Sequence, residues 1–161
     1  NVTIEVKMIN KKIMISGGFD PIHIGHIKMI KAASRWGMVT VVINSDAWLK
    51  RKKGYVFMPY DERAAIVSNI IGVTMVSSVD DRDGTVCEAI RRLKPDAFAN
   101  GGDRKENNTP EVELCDFLDI QLLWGVGGKD KPQSSSWLIS EAMKQITGEK
   151  NQENLELVDK G

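Results

Sequence analysis

Short β-branched runs alternate with longer amphipathic stretches along most of this chain, and that alternation points to an α/β fold. The strand-like runs fall at 12–16, 39–44, 73–77, 96–100 and 120–124. Helical spacing fills the intervals at 24–36, from Pro59 through 64–71, and at 85–93, 110–118 and 135–146. Residues 47–58 read as basic and irregular. Five strands joined through helices imply right-handed crossovers, hence a Rossmann-like, doubly wound, five-stranded parallel sheet in a single domain. The expected domain runs over 12–147, and 148–161 reads as a polar, loosely packed tail.

In such a sheet, ligands bind beyond the carboxyl ends of the strands, where strand order reverses. Topology alone therefore places the chemistry just after Ser16, Asn44, Asn100 and Trp124. With 22 basic and 22 acidic residues, the chain has no global field to hold nucleic acid or an anionic membrane. An anionic ligand must be held by a local cluster. No apolar run approaches the roughly 18–20 residues of a membrane helix, and residues 1–10 do not resemble a signal peptide. Cys87 and Cys115, with no partnered spacing, read as reduced thiols of a cytoplasmic protein.

The strongest local signal is the run from Ser16 to His26, Ser-Gly-Gly-Phe-Asp-Pro-Ile-His-Ile-Gly-His. The two histidines of the chain, His23 and His26, both lie in it. A strand ends, Gly17 and Gly18 let the backbone approach a ligand, and a helix opens near His23 with unpaired N–H groups and a positive dipole end. Residues three apart share a helix face, so both imidazoles can point at one anion, and Gly25 removes a side chain that would crowd it. A zinc pair is disfavoured because no third ligand is spaced near it. The plainer alternative is two surface histidines beside a turn.

Four further clusters follow strand ends or open helices. Asn44-Ser45-Asp46 leads into Lys50-Arg51-Lys52-Lys53-Gly54, a local positive patch in a neutral chain, or else a solvated basic loop. Arg63 stands in the helix after Pro59, suited to bidentate phosphate binding or to pairing with Asp61 or Glu62. Asn100-Gly101-Gly102-Asp103 puts a carboxylate where it can accept bonds from hydroxyls, unless it is a plain turn. Ser134, Ser135 and Ser136 open the last helix; one serine suffices for a cap, and three are more than a cap needs.

The run Gly-Gly-Phe-Asp-Pro-Ile-His-Ile-Gly-His resembles the signature of the cytidylyltransferase-like nucleotidyltransferase superfamily, whose His-x-Gly-His element also occurs in class I aminoacyl-tRNA synthetases. The resemblance spans about 12–146, with five motifs in order. It implies that His23 and His26 hold triphosphate oxygens and stabilise charge as the α-phosphate is attacked. It also implies that Gly17, Gly18, Phe19 and Asp20 belong to the same nucleotide pocket. On the same match Lys53 or Lys50 would contact phosphates of the reacting pair, and Arg63 the phosphate of the acceptor. Asp103 would meet ribose or acceptor hydroxyls, and Ser134, Ser135 and Ser136 the β- and γ-phosphates. The chain departs from the family where an Arg-containing stretch precedes the serines: it has Gly127-Gly128-Lys129-Asp130-Lys131, so Lys129 or Lys131 would have to supply that charge.

The expected reaction transfers AMP or CMP from a nucleoside triphosphate to a phosphorylated small molecule and releases pyrophosphate. Mg²⁺ would arrive with the triphosphate, with no metal cage of the protein's own. The Lys53-Gly54 and Gly101-Gly102-Asp103 elements resemble heptose-phosphate adenylyltransferases, and the glycerol-phosphate cytidylyltransferases are the alternative. A nucleotide-binding module without catalysis is the alternative of another class. Homodimerisation is an expectation taken from relatives.

Overall fold

A computed structural model describes residues 11–99, 109–128 and 134–159, with side chains through residue 148. Its elements run β1 (Lys12–Gly17), α1 (Ile24–Ser34), β2 (Met38–Ile43), α2 (Asp46–Lys53), α3 (Tyr60–Ser68), β3 (Val73–Ser77), α4 (Cys87–Leu93), β4 (Ala97–Ala99), α5 (Pro110–Phe117), β5 (Gln121–Leu123) and α6 (Ser135–Asp159). The sheet order is β3-β2-β1-β4-β5 and every pairing is parallel. Chain order therefore reverses between β1 and β4, and the crevice at their carboxyl ends is where a ligand belongs.

Period-two alternation in β1 divides the core. Ile13 and Ile15 face one layer with Ile30, Ala33, Val41 and Val67, brought by α1, β2 and α3. Met14 faces the other with Val42 of β2 and Phe98 of β4, and with Ala89, Ile90 and Cys115, brought by α4 and α5. Both faces of the central strands are covered, which is why those strands are apolar runs with little polar alternation. Of the apolar residues spaced along α1, Ile30 and Ala33 are buried, whereas Ile24 and Ile27 face outward.

Two stretches differ from the sequence expectation. Residues 46–53 form a helix where an irregular basic loop was expected. Only Leu49 is buried in it, so no apolar periodicity announces it. Its ends are nevertheless well specified: the Ser45 hydroxyl accepts from Trp48 N–H, and Gly54 closes it at φ 86°. The four cations fill its last turn, where the helix dipole favours positive charge. The last helix continues to Asp159, past the end of its apolar spacing at Ile146. Beyond β5, Gly127 sits at φ 90°, and a Cβ there would meet the Met29 backbone at 2.9 Å, so this glycine lets the loop lie directly on α1.

Candidate active site

The turn between β1 and α1 is built by its own side chains. His23 is the N-cap of α1, and its Nδ1 accepts from Gly25 N–H at 3.0 Å. The His26 Nδ1 reaches back to accept from His23 N–H at 3.1 Å. This is a reciprocal capping box made by two imidazoles in place of the usual serine and glutamate. An imidazole that accepts at Nδ1 carries its proton on Nε2 when neutral, so the two caps set the tautomer. The rings lie 3.9 Å apart between centroids, and Phe19, buried at φ 52°, supports His26 at 4.6 Å. Burial, then the neighbouring His23 and Lys53, push the His26 pKa down to about 3. His26 is thus a neutral N–H donor at physiological pH, not a cation.

Asp20, expected in the nucleotide pocket, is bonded to the protein's own backbone. Its carboxylate is fully buried, and its two oxygens accept from Phe57 N–H at 2.8 Å and Met58 N–H at 2.6 Å. It ties the β1–α1 turn to the segment before α3.

Arg63, expected at the acceptor phosphate, is bonded to the protein in the same way. It is fully buried, and Nε donates to Met58 O, one terminal nitrogen to Gly18 O and Asn44 O, and the other to Asp46 Oδ1. Four of the five guanidinium N–H groups are committed to three separate loops of the site. The arginine is a clamp for those loops, and a bidentate grip on an acceptor phosphate would require breaking it. Gly18 stands at this junction: a Cβ there would come within 2.9 Å of the buried Leu49 side chain, so the glycine serves packing on α2 as well as ligand approach.

Asp81 is a site residue that sequence reasoning missed. Buried, it accepts from Asn44 Nδ2, Ser45 N–H and Ser45 Oγ, at 3.2, 2.8 and 2.6 Å, and so anchors the start of α2. Nothing local in the sequence marks it, because its partners lie 36 and 37 positions away.

Helix geometry sorts the basic run into separate environments. Lys50 is exposed. Arg51 donates to Asp81 O at 2.8 Å. Lys52 lies over the Trp48 ring, with Nζ 4.6 Å from its centroid. Lys53 is half-buried on the histidine side. Burial lowers its pKa; Asp20 opposes that, while Lys52 and Arg63 add to it.

The serines also divide. Ser134 Oγ caps α6 by accepting from Trp137 N–H at 3.1 Å. Ser135 is buried and donates to Pro21 O at 2.7 Å, which brings the start of α6 against the turn that opens α1. Ser136 is exposed. Asp103, Lys129 and Lys131 lie outside the described residues.

A cavity of about 270 Å³ opens at the switch point. Ser16, Gly17 and Asn44 line it from the ends of β1 and β2, Trp48 and Lys52 from α2, and Trp124 from beyond β5. Thr109 and Glu111, at the start of α5, close the far side, where Glu111 accepts from Val86 N–H at 3.2 Å. Three of the four strand-end positions expected from topology, Ser16, Asn44 and Trp124, therefore meet in one space. Asn100 lies outside the described residues.

Comparison with known proteins bears on this arrangement. Residues 14–116 match the Cytidylyltransferase-like family. The chain is 38% identical over 122 residues to "Bifunctional protein HldE" of Campylobacter jejuni (strain RM1221), covering 70% of this chain and 26% of that protein. It is 35% identical over 119 residues to the protein of the same name from a Nitratiruptor species, covering 68% and 25%. The chain thus spans about a quarter of the length of these curated relatives. Among solved structures, the fold is similar to a lipopolysaccharide core biosynthesis protein from Thermoplasma volcanium GSS1, with TM-score 0.58, 24% identity, and 71% and 94% of the two chains covered. It is also similar to a putative nicotinate-nucleotide adenylyltransferase from Vibrio parahaemolyticus, with TM-score 0.53, 15% identity, and 87% and 89% covered. Through the matched span, which contains the histidine turn, the basic helix and the Arg63 clamp, the chain belongs to the cytidylyltransferase-like family of nucleotidyltransferases.

Proposed function

We propose that this chain transfers a nucleoside monophosphate from a nucleoside triphosphate to a sugar phosphate and releases pyrophosphate, with ATP as the donor. The observation that supports this most is the histidine capping box, which packs the His23 and His26 rings together at the N-terminus of α1, at the carboxyl end of β1. The acceptor phosphate oxygen attacks the α-phosphorus in line, the bond to the bridging oxygen breaks, and pyrophosphate leaves with the electron pair. No side chain becomes covalently attached. His23 and His26 stabilise charge on the α-phosphate oxygens as it develops, Lys53 neutralises the phosphates beside them, and the start of α6 holds the leaving pyrophosphate.

Mg²⁺ would accompany the triphosphate and offset its charge. Among the described residues no three His, Cys, Asp or Glu side chains converge as a cage. Among them, too, no helix is long and apolar enough to cross a membrane. The adenylyl reading rests on the likeness of the Lys53-Gly54 and Gly101-Gly102-Asp103 segments to heptose-phosphate adenylyltransferases, and on the HldE relatives. Transfer of CMP to glycerol phosphate or a similar alcohol phosphate is the competing reading.

The test is pyrophosphate release from ATP and CTP separately, with Mg²⁺, across a panel of sugar, polyol and alcohol phosphates. Release with ATP and a sugar phosphate is the expected result. Release with CTP and an alcohol phosphate selects the competing reading. Silence from a folded protein that still binds triphosphate removes the enzyme reading in favour of a binding module.

A further inference from the structure

Asn44 follows the last residue of β2, is 3% exposed, and lines the cavity at the switch point. Most of its polar groups are committed to the protein. Its N–H donates to Gly17 O at 2.9 Å, its backbone carbonyl accepts from Arg63 at 2.8 Å, and Nδ2 donates to Asp81 Oδ2 at 3.2 Å. Among the described residues nothing donates to the amide oxygen, Oδ1. A buried acceptor without a donor is unfavourable, and a binding site is where such an atom is retained, because the ligand brings the missing donor.

The direction of the amide follows from chemistry as well as from distance. A carboxylate accepts and does not donate, so the NH2 end of Asn44 belongs against Asp81 and the oxygen end lies away from it. Asp81 is itself fixed: its oxygens also accept from Ser45 Oγ at 2.6 Å and Ser45 N–H at 2.8 Å, and Arg51 donates to its backbone carbonyl at 2.8 Å. The Ser45 hydroxyl that donates to Asp81 accepts in turn from Trp48 N–H at 3.1 Å. Every donor in this chain of bonds runs toward Asp81. Reversing the Asn44 amide would set two acceptors against each other.

A neutral acceptor repels phosphate oxygens and calls for an O–H or N–H. Trp48 and Trp124 line the same cavity, and Thr109 adds a hydroxyl. Aromatic side chains beside a fixed hydrogen-bonding group suit the mixed apolar and hydroxylated surface of a sugar. We infer that Asn44, oriented by Asp81, reads a sugar hydroxyl of the bound reactant, through a hydrogen bond from that hydroxyl to Oδ1. The sugar is that of the phosphorylated acceptor or the ribose of the nucleotide. Asp81 touches neither; it is a positioning residue that acts through the amide. The identity of the ligands rests on the transferase reading above.

The test is calorimetric binding to the folded chain of ATP, 2′-deoxy-ATP and 3′-deoxy-ATP, and of glucose and mannose phosphates with their singly deoxygenated analogues. In at least one pair, removing the hydroxyl should weaken wild-type binding by about 10-fold or more, the penalty for leaving a buried acceptor unpaired. In Asn44→Leu the parent compound should lose that factor while its deoxy analogue stays within about 3-fold of wild type, so that the two bind nearly alike. Asn44→Ser can still donate to Asp81 but withdraws the acceptor from the cavity. It should show the same collapse, and it carries the test if the leucine variant does not fold. Asp81→Asn lets either end of the Asn44 amide face it and should narrow the ratio without abolishing it. An effect in a deoxy-ATP pair identifies the ribose; one in a sugar phosphate pair identifies the acceptor. The inference is overturned if no hydroxyl removal weakens wild-type binding by about that factor, a wild type that binds none of the compounds included. It is equally overturned if parent and analogue weaken together in the Asn44 variants, the mark of a structural role alone. An unchanged ratio in Asp81→Asn overturns the part given to Asp81. Pyrophosphate release is measured alongside. Binding that discriminates, with no release from any pair of substrates, rejects the transferase reading and keeps the contact. Release without discrimination rejects the contact and keeps the reaction.

Discussion

The histidine turn and the Arg63 clamp meet on the segment that follows β1, where Arg63 donates to Gly18 O, yet their nitrogens do different work. His23 and His26 satisfy the backbone with Nδ1, an acceptor, and carry the proton on Nε2. Arg63 has only donors, and it spends four of them on Met58, Gly18, Asn44 and Asp46. An imidazole has two distinct nitrogens and can be scaffold and reagent together. A guanidinium surrounded by carbonyls is scaffold. Burial and the partner set, rather than the sign of the charge, decide which positive or polar group serves chemistry.

The largest effect should come from Arg63. Arg63→Leu strands three carbonyls and the Asp46 carboxylate, and should lower stability by about 3–5 kcal/mol in urea melts, with activity lost through misplacement of the loops. Arg63→Lys, with a single point charge, should rescue little. A variant that melts like wild type but shows a raised acceptor KM would return Arg63 to the ligand and dissolve the contrast.

Variants of His26 sharpen the other half. Asn places an amide oxygen near the position of Nδ1 and preserves the cap, whereas Ala removes it. Both should reduce turnover by about 10²–10³-fold, the scale of one lost oxyanion donor. Only His26→Ala should also lose about 1 kcal/mol of stability, as a missing N-cap does. Equal stability of the two variants would mean that the cap contributes nothing.

Acid titration probes the same ring. His26 is held down to about 3 against the ordinary imidazole value of 6.5, so between those values the unfolded chain binds the extra proton. Its contribution to stability is intact above pH 6.5 and is lost as pH falls toward 3. The difference in stability between wild type and His26→Asn should shift over that window, and bound triphosphate, by favouring the imidazolium, should shrink the shift. A pH-independent difference would show that the ring is not held neutral by its burial. The smallest effect belongs to Lys50, which is exposed: Lys50→Ala should change stability by less than about 0.5 kcal/mol and leave both substrate affinities alone. A raised KM there would mean that the basic helix acts as a diffuse patch, not as sorted residues.

Much of this architecture is legible in one dimension. Short apolar runs marked the five described strands, Pro59 marked the start of α3, and the spacing of His23 and His26 marked the turn, because those signals depend on neighbours two to four residues away. Helix α2 escaped notice for the complementary reason: with Leu49 its only buried residue, it has caps but almost no apolar stripe. Asp20 and Arg63 were legible as site residues but not in their roles. A motif marks position, while burial and partner atoms come from segments 37 and 45 residues away.

The amino-acid order by itself determined the five-stranded α/β plan and the family, and it pointed to the strand ends as the candidate site, since hydrophobic period and turn chemistry are local properties of the chain. Only the tertiary structure decided which surroundings each cation meets. That depends on how α2 rolls against the ends of β1 and β2 under the hold of Asp81 and Arg63. Four adjacent basic side chains around one helix differ by the angle at which they leave it, and that angle acquires meaning only when the surroundings are packed.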